Sequence, residues 1–163
     1  MAEKFEIMRI FAAPRARVWD AWTKADQFAH WFGPKGTRGQ VKHFDLSPGG
    51  YLHSRLEGPD GSVMWGKNVY REIDPPSLLV WEQHFSNEAG EIVPAPFPMP
   101  WPRGMLTTVR FTDDGDGTRV TLWWEPMDPT TEELASFVQM MSSMTGGWTG
   151  TFDQLADYLA QGR

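Results

Sequence analysis

The chain has 163 residues, a net charge of −6 and a pI near 5.1. With no clustered Lys and Arg to meet phosphate, nucleic acid is excluded as a partner, and the absence of cysteine excludes disulfides, thiolate metal sites and a cysteine nucleophile. No stretch nears the roughly 18 consecutive apolar residues of a membrane span, and "MAEKFEIMRIFAAP" lacks the apolar centre of a signal peptide, so a single cytoplasmic domain over 1–163 is expected.

In chain order, "KFEIMRIFA" alternates through Phe5, Ile7 and then Arg9 or Phe11, and reads as a first strand. Pro14 suits a first helical position, and Val18, Trp19 and Trp22 mark a short helix. Thr23 and Asp26 have the spacing of a capping box, predicting a second short helix through Phe28 and Trp31 that Gly33 and Pro34 end. Strands and turns follow. "QVKHFDL" and "GYLHSRLEG" flank "SPGG", Gly58–Gly61 reads as a turn, and "SVMWGKNVYREI" stops at Asp74-Pro75-Pro76 before "LLVWEQHF". "MLTTVRFTDD" and "TRVTLWWEP" read as a hairpin across "DGDGT", a loop without the ligand spacing or terminal Glu of a calcium site.

Before that hairpin lies "VPAPFPMPWPRG", with prolines at 94, 96, 98, 100 and 102. Alternate prolines hold the backbone extended and remove amide donors, so this segment is neither a helix nor a central strand. It carries Phe97, Met99 and Trp101 at alternate positions. Two readings stand: a local lid over 94–102, or a Pro-rich ligand for another domain.

The last element opens with Thr130 and Glu133 at capping-box spacing. An apolar stripe then runs through Leu134, Phe137 or Val138, Met141, Met144, Trp148, Phe152, Leu155 and Leu159. This predicts one helix of about 30 residues, or about 45 Å. Gly146, Gly147 and Gly150 interrupt it, each costing about 1 kcal/mol against alanine. Either they border a cavity or they mark a kink or a tight packing contact. One long helix cannot cover a flat sheet this wide, whereas an antiparallel sheet curled around the helix buries the stripe.

This order resembles the helix-grip superfamily of START-like (SRPBCC) and birch-pollen-allergen-like proteins. More narrowly it resembles the family named for the heat-shock-protein-90 ATPase activator. The resemblance is carried by "VWDAWTKADQFAHWFGP" (18–34), "SPGG" (47–50), "GPDG" (58–61), "REIDPPSLLVW" (71–81), "GTRVTL" (117–122) and "GGWTGTFDQLADYL" (146–159). It implies an α+β helix-grip fold: a curved antiparallel sheet of about six to seven strands around a long C-terminal helix, with two short helices after strand one. It also brings a chaperone-linked, stress-response association and a homodimer as alternative partners. The proline-rich insertion departs from the family pattern.

Strand parity places Val120, Leu122 and Trp124 on one face, with Val109 and Phe111, and Leu79, Trp81 and Phe85, also inward. The expected small-molecule site is Trp65, Trp81, Gln83, Phe97, Trp101, Thr107, Met141, Met144, Gly147 and Trp148. Ser54, Gln83 and Thr107 have the parity to point inward as neutral polar groups, while Arg55 and Glu57 face solvent. The histidines at 30, 43, 53 and 84 have no metal-ligand spacing, and His84 is expected as an exposed strand-end residue. No cofactor motif, metal site or catalytic set is expected. Three functions remain, in this order: binding of a small hydrophobic or aromatic molecule, a protein-interaction module using Trp123 and the proline-rich segment, and a cyclase- or dehydratase-like enzyme.

Overall fold

A computed structural model describes residues 4–33 and 36–161, so Pro34 lies outside the described residues. The alternating segments form strands and the three- and four-spaced segments form helices. In order they are β1 (Phe5–Phe11), α1 (Arg15–Thr23), α2 (Ala25–Trp31), β2 (Arg38–Phe44), β3 (Tyr51–Glu57), β4 (Val63–Asp74), β5 (Leu78–Ser86), β6 (Ile92–Val93), β7 (Met105–Asp114), β8 (Gly117–Pro126), α3 (Thr131–Gln139) and α4 (Met141–Ala160). The sheet runs β1-β8-β7-β5-β4-β3-β2, antiparallel throughout, with the two-residue β6 on β5. Register shifts at Val41/His43 and Tyr70/Glu72 interrupt the ladders, and such bulges bend a strand and sharpen its twist. The fold is the α+β helix grip that the motifs imply.

Helix ends depart from the sequence reading in two places. The Thr23 hydroxyl donates back to the Trp19 carbonyl rather than capping α2, whose N-cap is Lys24 with no side-chain bond. The expected 30-residue helix is two helices parted at Met140, whose φ of −93° and ψ of 5° leave the helical region. Nothing in the propensities of "VQMMSS" marks that break. Tertiary contact overrides propensity there: Phe137 of α3 is fully buried, with Trp101 at 6.3 Å. The Thr130–Glu133 capping box forms as expected, with both reciprocal bonds at 3.1 Å.

Helix α4 is fixed to the rest of the chain by directional contacts as well as by burial. Arg9 of β1 pairs with Asp153 at 2.6 Å. The Gly33 carbonyl accepts from Thr151 Oγ1 at 3.0 Å and from Gln154 Nε2 at 2.7 Å. Gly33 has a φ of +110°, which side-chain-bearing residues rarely adopt, so glycine presents that carbonyl to the helix. Phe152, Leu155 and Leu159 then pack into a core with Trp19, Trp22, Trp31, Trp81 and Phe111. Trp22 sits at its centre, 4.7 Å from Trp31, 5.8 Å from Phe111 and 6.0 Å from Trp81, and the Trp31 indole donates to the Ala21 carbonyl.

Candidate functional site

The core does not fill the whole space between helix and sheet. Toward the N-terminal half of α4, a cavity of about 440 Å³ lies over the inner face of β3, β4 and β5. Helical spacing turns Met144, Gly147, Trp148 and Thr151 toward it. A Cβ placed on Gly147 would meet nothing within 4 Å. On the sheet side Gly66 of β4 also borders the cavity, and a Cβ there would touch only the His84 carbonyl, at 3.7 Å. Both walls therefore lack a side chain where the void opens. That resolves the glycine alternatives at Gly147: it borders open space and is not a tight contact.

The proline-rich segment forms the third wall. Phe97, Met99 and Trp101 line the cavity, and the rings form a chain, Phe85–Phe97 at 5.3 Å, Phe97–Trp101 at 5.5 Å and Trp101–Phe137 at 6.3 Å. The segment is held at its end by His84. The His84 side chain is only 9 % exposed, not at large in solvent as the sequence suggested. Its Nδ1 lies 3.2 Å from the Arg103 carbonyl and its Nε2 lies 3.1 Å from Glu82 Oε1. Gly104 permits this approach, since a Cβ there would stand 2.6 Å from the imidazole. Arg71 Nη2 braces Glu82 at 2.6 Å. Burial would raise the Glu82 carboxyl, but the hydrogen bonds from His84 and Arg71 and their charges outweigh it and hold it below the usual range. Both imidazole nitrogens are engaged, so His84 meets a cavity ligand as a base only by releasing Glu82 or the Arg103 carbonyl. Deeper in the core, burial pushes the Tyr70 hydroxyl up.

Of the residues the sequence singled out, Gln83, Phe97, Trp101, Met144, Gly147 and Trp148 line the cavity. Trp65 borders it too, but it pairs in register with Arg55 and stacks on His53 at 4.9 Å, on the face opposite Ser54 and Leu56. Three expectations are corrected. Trp81 is 2 % exposed and packs between Trp22 and Tyr70. Thr107, directly across from Trp81, is fully buried with its hydroxyl directed at the Met105 carbonyl. Parity gave both the correct face, but not how far along the strand the void begins. Met141 is not among the cavity-lining residues and packs, half-buried, against the core. Residues missed include Asn68, His84 and Trp124. Trp124 had the inward parity that would have found it, and Asn68 is on the same face of β4 as Gly66.

The model of the family described as Activator of Hsp90 ATPase homolog 1-like protein matches residues 12–160. The chain belongs to that family. Among solved structures, protein Ms6760 from Mycobacterium smegmatis is similar at 24% identity and a TM-score of 0.78, over 96% of this chain and 90% of that one. A protein of Arthrobacter aurescens is similar at 24% identity and a TM-score of 0.82, over 98% of this chain and 87% of its own. DynU16, a protein of the dynemicin biosynthetic locus, aligns with all of this chain and 49% of its own, at 18% identity and a TM-score of 0.68. At these identities the likeness shows the shared fold. No curated protein matches the chain. Among the described residues, no helix is long and apolar enough to cross a membrane.

Proposed function

We propose that this member of the activator-homologue family binds a small hydrophobic or aromatic molecule between the curved sheet and α4, with residues 94–102 acting as the lid. The observation that carries this is the cavity itself, about 440 Å³ with glycines on two walls and Trp, Phe and Met on the rest. Sites for small ligands typically measure about 300–1,000 Å³, and an engineered apolar cavity of about 150 Å³ already holds benzene. Met64 and Phe97 line the cavity yet are exposed, which marks a mouth through which a ligand enters. Mass spectrometry on protein purified from its host, native and then after organic extraction, tests the reading. A stoichiometric apolar small molecule is expected. An empty protein under gentle conditions would shift the weight to an interaction module, for which exposed Met8 and Ile10 on the edge strand β1 are the supporting observation.

A second reading is an enzyme that steers a reactive substrate by cavity shape, as cyclases of this fold do. It is favoured by His84 at the cavity wall with Glu82 and Arg71 behind it, and by the biosynthetic locus of the similar DynU16. Chemical change of the extracted molecule on incubation with fresh protein separates turnover from binding.

A further inference from the structure

On the sheet side, neutral polar side chains gather on the inner face of β3, β4 and β5. Asn68 of β4 lies directly across from Gln83 of β5, and Ser54 of β3 stands diagonal to Asn68 on the same inner face. Directly opposed residues have Cβ atoms about 5 Å apart and diagonal ones about 7–8 Å, still within reach of long side chains, so the three side chains form one patch. All three line the cavity, yet Asn68 is 6% exposed and Ser54 8%. Gln83 accepts from the Trp81 indole through Oε1 at 3.3 Å, and its NH₂ has no partner among the described residues. Neither the Asn68 amide nor the Ser54 hydroxyl has a hydrogen-bond partner among the described residues. The polar atoms of these three side chains stay accessible from the cavity. Beside them the Trp124 indole N–H, which lines the same cavity, is buried without a partner among the described residues. Buried polar groups are nearly always bonded, so this wall presents donors and acceptors for an occupant to meet.

We infer that Ser54, Asn68 and Gln83 form the polar end of the ligand site and receive a neutral carbonyl or hydroxyl carried on an aromatic or polycyclic body. This rests on the binding reading above. The Asn68 and Gln83 NH₂ groups donate to a carbonyl or phenol oxygen, and the Asn68 carbonyl and Ser54 hydroxyl accept from a ligand O–H. None of the three carries a charge. An ionised acid seated on these three groups would lose its water against side chains that carry no positive charge, whereas a hydrocarbon would leave the amides unbonded. The apolar body lies against Trp124, Trp148 and Met144.

The full chain is titrated with naphthalene, 2-acetylnaphthalene, 2-naphthol and 2-naphthoate, followed by tryptophan fluorescence. The ketone and the phenol are expected to bind at least about tenfold more tightly than naphthalene or naphthoate. In Asn68→Leu the ketone falls to the affinity of the hydrocarbon, while naphthalene binding holds or improves and the melting temperature does not drop, because an unbonded amide is replaced by an apolar group. Ser54→Ala, a smaller change, gives the same direction with a smaller loss. Equal binding of ketone and hydrocarbon in the unaltered protein overturns the polar end and leaves the cavity reading standing. So does an Asn68→Leu variant that melts early or loses both ligands alike, which assigns Asn68 a structural role. Failure of all four probes to bind overturns this inference and the binding reading together.

Discussion

The two halves of α4 face the same sheet and do opposite things with it. From Phe152 onward the helix buries Phe152, Leu155 and Leu159 against rings supplied by α1, α2, β5 and β7. Before Thr151 the stripe continues as Met144, Gly147 and Trp148, but Gly147 and Gly66 withdraw volume from both walls, and the roof is a proline-rich segment rather than a helix. The tryptophans divide accordingly. Trp19, Trp22, Trp31 and Trp81 are core, while Trp101, Trp124 and Trp148 line the cavity. A heavy aromatic content is therefore evidence of a core and of a pocket at once, and Trp148, buried in the core and bordering the cavity, serves both.

Four experiments break or sharpen this contrast. The largest effect is expected in the filled half, where Phe152→Ala should cost about 3–5 kcal/mol in urea unfolding, the combined transfer and cavity loss of a buried ring. Met144→Ala, at the edge of existing space, should cost under about 2 kcal/mol by the same measurement. Equal losses would erase the distinction. Next, Gly147→Leu should weaken binding of 2-acetylnaphthalene by more than about tenfold, since the new side chain fills the void, while unfolding free energy stays level or rises by about 1 kcal/mol through helix propensity. If that variant unfolds instead, the glycine is a packing contact.

A smaller effect is expected from the roof. Replacing Phe97 and Trp101 together by alanine removes two links of the ring chain from Phe85 to Phe137, and stopped-flow should show faster ligand release with the fold retained. Collapse of the fold would make the segment structural rather than a lid. The smallest effect concerns Glu82, whose carboxyl sits below its ordinary value of 4.5 in the folded protein. A lowered folded value means its contribution is present above the ordinary value and is lost as pH falls through the folded one. Glu82→Gln should therefore be less stable than the unaltered protein by under about 1 kcal/mol near neutral pH, with the difference shrinking in melts carried to progressively lower pH. A constant difference across that range would show that Glu82 acts by packing alone.

The order of elements, the inward faces of the strands and the Thr130–Glu133 cap were legible because they rest on local spacing and on motifs that occur in order along the chain. The site was legible in part. Parity and helical period found Gln83, Met144, Gly147 and Trp148, but they could not place Trp81 and Thr107 below the void rather than in its wall. Met141 shows the same limit on the helix: its place on the stripe was readable, but not that it packs against the core while Met144, one turn on, borders the void. His84 was misread because its burial depends on Arg103 and Gly104, about 20 residues away, closing over it.

The sequence by itself determined that an antiparallel sheet must curl around an amphipathic C-terminal helix, because strand and helix periods are properties of consecutive residues and the apolar stripe has nowhere else to be buried. Only the tertiary structure decided where that grip is hollow, that the helix breaks at Met140, and that Ser54, Asn68 and Gln83 meet in one patch. Those outcomes depend on volumes and polar groups contributed by strands far apart in the chain, and no local period encodes the space left when they come together.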